Sequence, residues 1–302
     1  MISRVGDKDF EMNRNPTKDE IKSITKGFEE VNMVATNNEY NKPEDWITLV
    51  IRDNDGNIIG GIQTSTIYWA QYLEVLWVDK KYRRQGYARD LILEAERIAR
   101  ENGCVSSHTY TFKWQGPEFY KAVGYKEVAV FEGYHEGLTE HIFMKKLNEP
   151  TPRISISDPD RFVISRDESP ETKKIVGTLL GSDFEENAGE LLKKYPHQLF
   201  AIALKDQDGV VVGGIKGYTI MGTMLIEEFW VDEKHRKQGF GSALLENAKE
   251  LALERNCISF QSFCMSYNNI EFMMNRGFET YGQTDGYPNN VKEYYLIKRF
   301  HD

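Results

Sequence analysis

Residues 74–88 read EVLWVDKKYRRQGYA, and residues 227–241 read EEFWVDEKHRKQGFG. The two stretches stand 153 positions apart in a chain of 302. The same spacing holds without a gap from residue 47 to residue 125. Residues 47–88 and 200–241 share 16 identities in 42 positions. Self-similarity at half the chain length marks an internal duplication. Each copy reads as an apolar strand, a basic turn, a glycine loop and then a helix.

Working outward, residues 46–52 and 57–65 read as strands joined by Asp53-Asn54-Asp55-Gly56, a hairpin signal. The second copy repeats it as 199–205, Asp206-Gln207-Asp208-Gly209 and 210–218. Strands follow at 72–79 and 225–232. The helix after the loop keeps Leu91, Ala95, Ile98 and Ala99 on one face, matched by Leu244, Ala248, Leu251 and Ala252. Gly103 and Asn256 are stop signals near its ends. Then come a strand (104–112; 257–265), a short helix (117–123; 269–276) and two β runs ending near 147 and 300. Nearer the start, Thr17-Lys18-Asp19-Glu20 is a capping box, and Ile21, Ile24, Phe28 and Val31 recur on one helical face. Here the copies slip: Phe28-Glu29-Glu30-Val31-Asn32 faces Phe184-Glu185-Glu186-Asn187, so the loops after this first helix differ in length. Pro150 and Pro152 mark a linker. The expected organisation is two mixed α/β domains, 1–148 and 154–302, joined by 149–153, each a central mixed sheet flanked by helices.

The bulk numbers bound the rest. A chain of 302 residues, 40% apolar and 28% charged, suits two globular domains with separate cores. No apolar run approaches the ~20 residues of a membrane span. The opening MISRVGDKDFEMNRN has no apolar signal core, so secretion is not expected. Three cysteines suit a reducing compartment, and a cytoplasmic location is expected. Cys104 and Cys257 match across the repeat and read as small buried apolar residues. A net charge of −9 argues against nucleic acid as a partner and is compatible with a cationic substrate. The six histidines form no metal-ligand spacing.

The loops Arg83-Arg84-Gln85-Gly86-Tyr87-Ala88 and Arg236-Lys237-Gln238-Gly239-Phe240-Gly241 both fit R-x-x-G-x-(G/A). Small residues let the backbone approach a ligand. The following helix presents unpaired amides and partial positive charge at that end, to which the Arg and Lys side chains add. The expected ligand is a di-anion held mainly by main-chain N–H groups. A Walker loop is absent, and Leu91 or Leu244 stands where a dinucleotide fingerprint needs its third glycine.

Strand, R-x-x-G-x-(G/A), helix, then a later Phe-Tyr helix ending in Gly-Tyr: this order resembles the GNAT N-acetyltransferase superfamily, over nearly the whole chain as two tandem copies. The resemblance implies that the di-anion is the pyrophosphate of acetyl-CoA, held by residues 83–88 and 236–241. It implies a sheet that splays between strands 72–79 and 104–112 to admit the pantetheine. A main-chain N–H in the Trp77–Val78 stretch, and in Trp230–Val231, would serve the oxyanion. Gln115 and Asn268 hold matched positions before the short helix, where the family often places an amide contacting CoA. The family's acid, a tyrosine in the Phe-Tyr pair, maps to Tyr120; the second copy has Met273, which cannot protonate a thiolate.

An amine attacking a thioester must lose a proton, so a base is sought. Alternation puts Glu74 on the strand face of Leu76 and Val78, with Glu227 as its counterpart. An acid inside an apolar strand is costly to bury unless paired or used; the alternative is an edge carboxylate satisfied by backbone or water. Glu29, Glu30, Glu185 and Glu186, at the end of the first helix, either face the acceptor or form a solvated face. His108 faces Gln261, against a shared essential role.

The expected function is acetyl-CoA-dependent acetylation of a primary amine, small-molecule or peptide, by direct attack and without metal. The first copy catalyses; the second binds CoA or only packs as a built-in partner. The alternatives are a non-catalytic CoA-binding module, or transfer with another acyl-CoA or acceptor. The chain is expected to act as a monomeric pseudo-dimer or a homodimer, without nucleic acid or membrane.

Overall fold

The computed structural model describes residues 2–4, 10–43, 46–148, 163–268 and 270–300, with 2–4, 179, 180 and 183 as backbone only. After two short strands, β1 (Ile2–Arg4) and β2 (Glu11–Asn13), helix α1 (Lys18–Ala35) starts at the expected capping box. Thr17 Oγ1 accepts the Glu20 amide, and Glu20 Oε2 accepts the Thr17 amide at 2.7 Å. No glycine or proline interrupts residues 28–35, so α1 runs on to Ala35. Glu29 and Glu30 therefore lie within the helix rather than at its end.

The Asp53-Asn54-Asp55-Gly56 turn forms as its residues dictate. Asp53 Oδ1 accepts the amides of Asp55 and Asn57, and Gly56 takes a left-handed φ of 85°. It joins β3 (Ile47–Arg52) to β4 (Ile58–Ile67). There follow β5 (Ala70–Val78), α2 (Tyr87–Glu101), β6 (Ser106–Phe112), α3 (Pro117–Ala122), β7 (Lys126–Phe131) and β8 (Glu140–Lys146). The second copy repeats the order. After β9 (Val163–Arg166) and α4 (Pro170–Lys194) come β10 (Gln198–Lys205), β11 (Val211–Ile220) and β12 (Thr223–Val231). Then follow α5 (Phe240–Glu254), β13 (Ser259–Met265), α6 (Ile270–Met274), β14 (Glu279–Thr284) and β15 (Glu293–Arg299). Glu185 and Glu186 also fall inside their helix. The expected linker, 149–153, lies outside the described residues.

Among the described residues, fifteen strands join one sheet, in the order β1-β2-β10-β11-β12-β13-β15-β14-β7-β8-β6-β5-β4-β3-β9. Its centre is a pseudo-two-fold. Ala129 of β7 pairs with Gly282 of β14, which are mates across the repeat. A Cβ on Gly282 would stand 2.4 Å from the Ala129 Cβ, so glycine permits the approach. Ser259 Oγ donates to the Gly133 carbonyl at 2.7 Å, and Ser106 Oγ mirrors it at Gly286.

The opening elements of the two copies are exchanged. Strand β2 pairs with β10, and α1 packs on β10, β11 and β12 of the second half. Strand β9 pairs with β3, and α4 packs on β4 and β5 of the first half. The contacts are equivalent. Ile24 of α1 sits over Gly214, where a Cβ would be 2.4 Å from its Cδ1; Val176 of α4 sits over Gly61, where a Cβ would be 2.7 Å from its Cγ2. The expected division at 148 and 154 rests on the sequence repeat; in space, each half of the sheet receives its first helix from the other copy.

Each half has its own core. Leu91, Ile92 and Ala95 of α2 pack with Leu49, Ile62 and Phe143. Leu244, Leu245, Ala248 and Ala252 of α5 pack with Ile202, Ile215 and Phe260. Cys104 and Cys257 are buried and not joined in a disulfide. Among the described residues, no helix is long and apolar enough to cross a membrane.

Candidate active site

The first cleft opens where two parallel strands part. Strands β5 and β6 pair only from Ala70↔Ser106 to Leu73↔Thr109. Beyond Leu73 they diverge, leaving a cavity of about 310 Å³ between β5, β6 and α3. Opposite Thr64 and Gln63 the register of β5 shifts, and Glu74 is the extra residue. Such a bulge re-aims a side chain and breaks strict alternation; Leu73 and Glu74 both line the cavity, as do Leu76, Trp77 and Val78 farther along the parted strand. The Glu74 carboxylate opens onto the cavity. Ser65 Oγ donates to its Oε1 at 2.5 Å. Enclosure by protein pushes its pKa above the ordinary carboxylate value, the Ser65 hydrogen bond opposing.

The two glycine loops are superimposable in their internal bonding. Arg83 Nε donates to the Val78 carbonyl at 2.8 Å and Arg236 Nε to Val231 at 2.9 Å. Gln85 Nε2 donates to Lys81 and Gln238 Nε2 to Lys234. These four side chains tie the turn to its own backbone. Arg84 and Lys237 are exposed, with left-handed φ of 62° and 60°; Gly86 and Gly239 follow at 95° and 89°. No side chain caps α2 or α5 at that glycine. A Cβ on Gly239 would meet nothing within 4 Å, so backbone conformation and not packing requires glycine there. Tyr87 and Phe240 are buried in the cores, leaving their backbones to the loops. Ala88 and Gly241 line the first and second cavities. A helix N-terminus with exposed cations and a glycine turn is a set of donors suited to a pyrophosphate.

Of the Trp77–Val78 stretch, one amide faces the cleft. Asp79 N donates to Ile59 of the neighbouring β4 end at 2.9 Å. Strand alternation then turns the Trp77 N–H toward β4 as well, and the Val78 N–H toward the side β6 has left. The second half repeats this: Asp232 N donates to Val212 at 2.8 Å, which turns the Val231 N–H into its cleft.

Tyr120 lies on α3 and lines the same cavity as Glu74. It is buried and stacks on Phe143 at 5.7 Å. Burial raises its pKa, so the phenol keeps its proton at neutral pH. Gln115 lines the cavity, but its Oε1 accepts the Phe112 amide at 2.9 Å and so closes the end of β6. Ser65, which orients Glu74, escaped the sequence reading; nothing in its spacing marks it.

The second cleft has the same splay, with β12 and β13 pairing only from Thr223↔Ser259 to Ile226↔Ser262. Glu227 is again the bulge residue. Its pKa is raised by enclosure, opposed by Lys216. This cavity is larger, about 490 Å³, and Met273, Phe229 and Phe272 line it where the first has Tyr120. Asn268 lies on its wall, as does Phe28 from the exchanged α1. The third cysteine, Cys264, also lines it; burial pushes its thiol up to about 11.

Glu29, Glu30, Glu185 and Glu186 are exposed, Glu186 pairing with Lys80 at 2.5 Å. They form the solvated face. His108 is fully buried between the halves, with its ring Nε2 2.8 Å from Ser106 Oγ and its pKa lowered by burial to about 3.

A third cavity, about 430 Å³, lies between the halves. It shares Leu73, Glu74 and Tyr110 with the first cleft and Phe28, Ile226, Glu227, Phe263 and Asn268 with the second. Glu140 and Glu293, one from each half, also line it. Glu140 accepts from Tyr134 Oη at 3.1 Å and Gln261 Nε2 at 3.2 Å; Glu293 accepts from Tyr287 Oη at 2.8 Å. Both are raised by burial, Glu293 to about 7. The sequence reading missed this pair, although both are acids in β runs at the repeat spacing.

A model of the acetyltransferase (GNAT) family matches residues 17–125 and 164–278. The blasticidin-S acetyltransferase of Streptomyces morookaense is 37% identical over 93 residues, covering 30% of this chain and 68% of that protein. Acetyltransferase Atu2258 of Agrobacterium fabrum is 28% identical over 82 residues, 27% of this chain and 60% of that one. A solved acetyltransferase from Bacillus cereus is 34% identical with a TM-score of 0.42, covering 44% of this chain and 96% of that one.

Proposed function

The chain belongs to the GNAT acetyltransferase family, and on that premise we propose that its first cleft transfers an acetyl group from acetyl-CoA to a primary amine by direct attack on the thioester. The observation that carries this is the pairing of Glu74 and Tyr120 on the wall of one splayed-strand cavity. Bound acetyl-CoA supplies the activated acetyl group and a thiolate leaving group. The loop 83–88 holds its pyrophosphate through main-chain amides at the start of α2, with Arg84 adding charge. The Val78 N–H faces the cleft, where it can donate to a carbonyl oxygen as negative charge develops. Glu74, held in place by Ser65, takes the proton from the acceptor amine; its raised pKa makes it a better base than an ordinary carboxylate. Tyr120, kept protonated by burial, gives its proton to the leaving sulfur.

The second cleft keeps the loop and the inward Val231 amide but has Met273 in place of the phenol. That supports CoA binding without efficient transfer in the second half. The similarity to a blasticidin-S acetyltransferase makes an amine-bearing antibiotic one candidate acceptor. The sheet continues through β7 and β14, which supports a monomer that is its own pseudo-dimer. Free-thiol release in the presence of acetyl-CoA and an amine panel is the assay. Tyr120→Phe is expected to lower kcat by about 10²-fold, the lower end of general acid–base effects. Gly239→Val, strained at a φ of 89°, is expected to leave kcat within about twofold. If Gly239→Val abolishes turnover in a folded protein and Tyr120→Phe does not, the halves are reversed.

A further inference from the structure

The cavity between the halves has a composition that the proposed transfer in the first cleft does not explain. Four carboxylates line it, Glu74 and Glu140 from the first half and Glu227 and Glu293 from the second. Among the described residues, none of the four forms a salt bridge, whereas their neighbour Glu228 pairs with Lys216 at 2.9 Å. Glu293 is buried and Glu140 half-buried, while Glu74 and Glu227 are more exposed; a buried carboxylate is unfavourable unless a cation joins it. A second observation points the same way. Asn32, on the exchanged α1, is 1% exposed and lines this cavity, and neither atom of its carboxamide has a partner. Buried amides are normally satisfied, so this one is set toward a ligand. The volume of about 430 Å³ falls in the range of small-molecule sites.

We propose that this chamber binds the acceptor, and that the acceptor is a linear amine carrying two positive charges. One ammonium group lies at Glu74, beside Tyr120, and the other lies against Glu227 and Glu293 of the second half. Asn32 donates to or accepts from the chain between them. The second half thereby selects the acceptor for the first, and α1, by its exchange, carries Asn32 to the place where both halves meet. The inference rests on the proposed amine acetylation for its purpose, and on the chamber for its binding.

The test separates the two. The full chain without acetyl-CoA is titrated calorimetrically with 1,4-diaminobutane and with 1-aminobutane. The diamine is expected to bind about tenfold or more tightly, one further ion pair's worth of affinity. That preference is expected to fall to about twofold in Glu227→Gln/Glu293→Gln, whose side chains keep shape and hydrogen bonding but lose charge. Asn32→Leu is expected to weaken the diamine as well, with thermal melting confirming that each variant is folded. Equal affinity for the two amines, no binding of either, or a preference unchanged in the double variant overturns the chamber proposal. Free-thiol release with acetyl-CoA and the diamine is scored separately: tight diamine binding without thiol release leaves the chamber standing and removes the catalytic reading.

Discussion

The exchange of first helices makes a quantitative prediction. Ile24 is fully buried over Gly214, and a Cβ there would lie 2.4 Å from its Cδ1 and 2.5 Å from its Cγ1. Gly214→Ala forces α1 outward and is expected to cost about 1–3 kcal/mol, as overpacking does. Ile24→Ala alone removes three buried carbons and is expected to cost about 2–5 kcal/mol. In the double variant the new methyl enters the space that Ile24 has vacated. The combined loss should fall short of the sum by about 1–2 kcal/mol, as for contacting residues. Urea unfolding, read as the shift in midpoint at constant slope, measures each arm of the cycle. A matched cycle of Gly61→Ala with Val176→Ala should couple in the same way, since a Cβ on Gly61 would stand 2.7 Å from Val176. If each helix instead lay on its own copy's sheet, Ile24 would couple to Gly61 and Val176 to Gly214. Additivity within about 0.5 kcal/mol for Gly214 with Ile24, with coupling in the crossed pairs, refutes the exchange.

Two further outcomes follow from the raised carboxylates. The deprotonated form of Glu74 accepts the amine proton, so turnover should rise with pH through its raised pKa; Glu74→Gln should erase that limb and lower kcat about 10²-fold. A pH–rate profile with the same acidic limb in the variant would show that another group is the base. For Glu293 the sign runs toward acid. Burial raises its folded pKa to about 7 from the ordinary 4.5, so its contribution is full below 4.5 and is lost as pH rises through 7. Glu293→Gln, neutral throughout, should gain about 3 kcal/mol over the parent between acidic and mildly basic pH, at 1.36 kcal/mol per unit. Unfolding midpoints that differ by a constant amount at every pH would contradict it.

Much of the fold was readable because its signals are local. The Asp53–Gly56 turn, the Thr17 cap and the glycine loops depend on a few adjacent residues whose backbone needs are specific. The structure sets each within two or three residues of its expected place. The reading failed where the cause was not local. The first helix runs past Glu29 and Glu30 because nothing in 28–35 stops it. Leu73 and Glu74, adjacent in β5, both reach the cleft because Glu74 is a bulge, and a bulge depends on the partner strand's register as much as on its own sequence. Glu140, Glu293 and Asn32 looked unremarkable in isolation; they matter because folding brings them to one cavity.

Residue identity alone shows that there are two copies, that each has a basic glycine turn at a helix start, and that one copy lacks the tyrosine. These follow from residue identity at fixed spacing. Which sheet each first helix lies on was decided by the tertiary structure alone. The copies present the same glycine, Gly61 or Gly214, to the same kind of apolar helix face, so local sequence is nearly degenerate between the two packings. The choice rests on the whole set of long-range contacts, and it places Phe28 and Asn32 of the first copy at the cavities of the second half and of the pseudo-dyad.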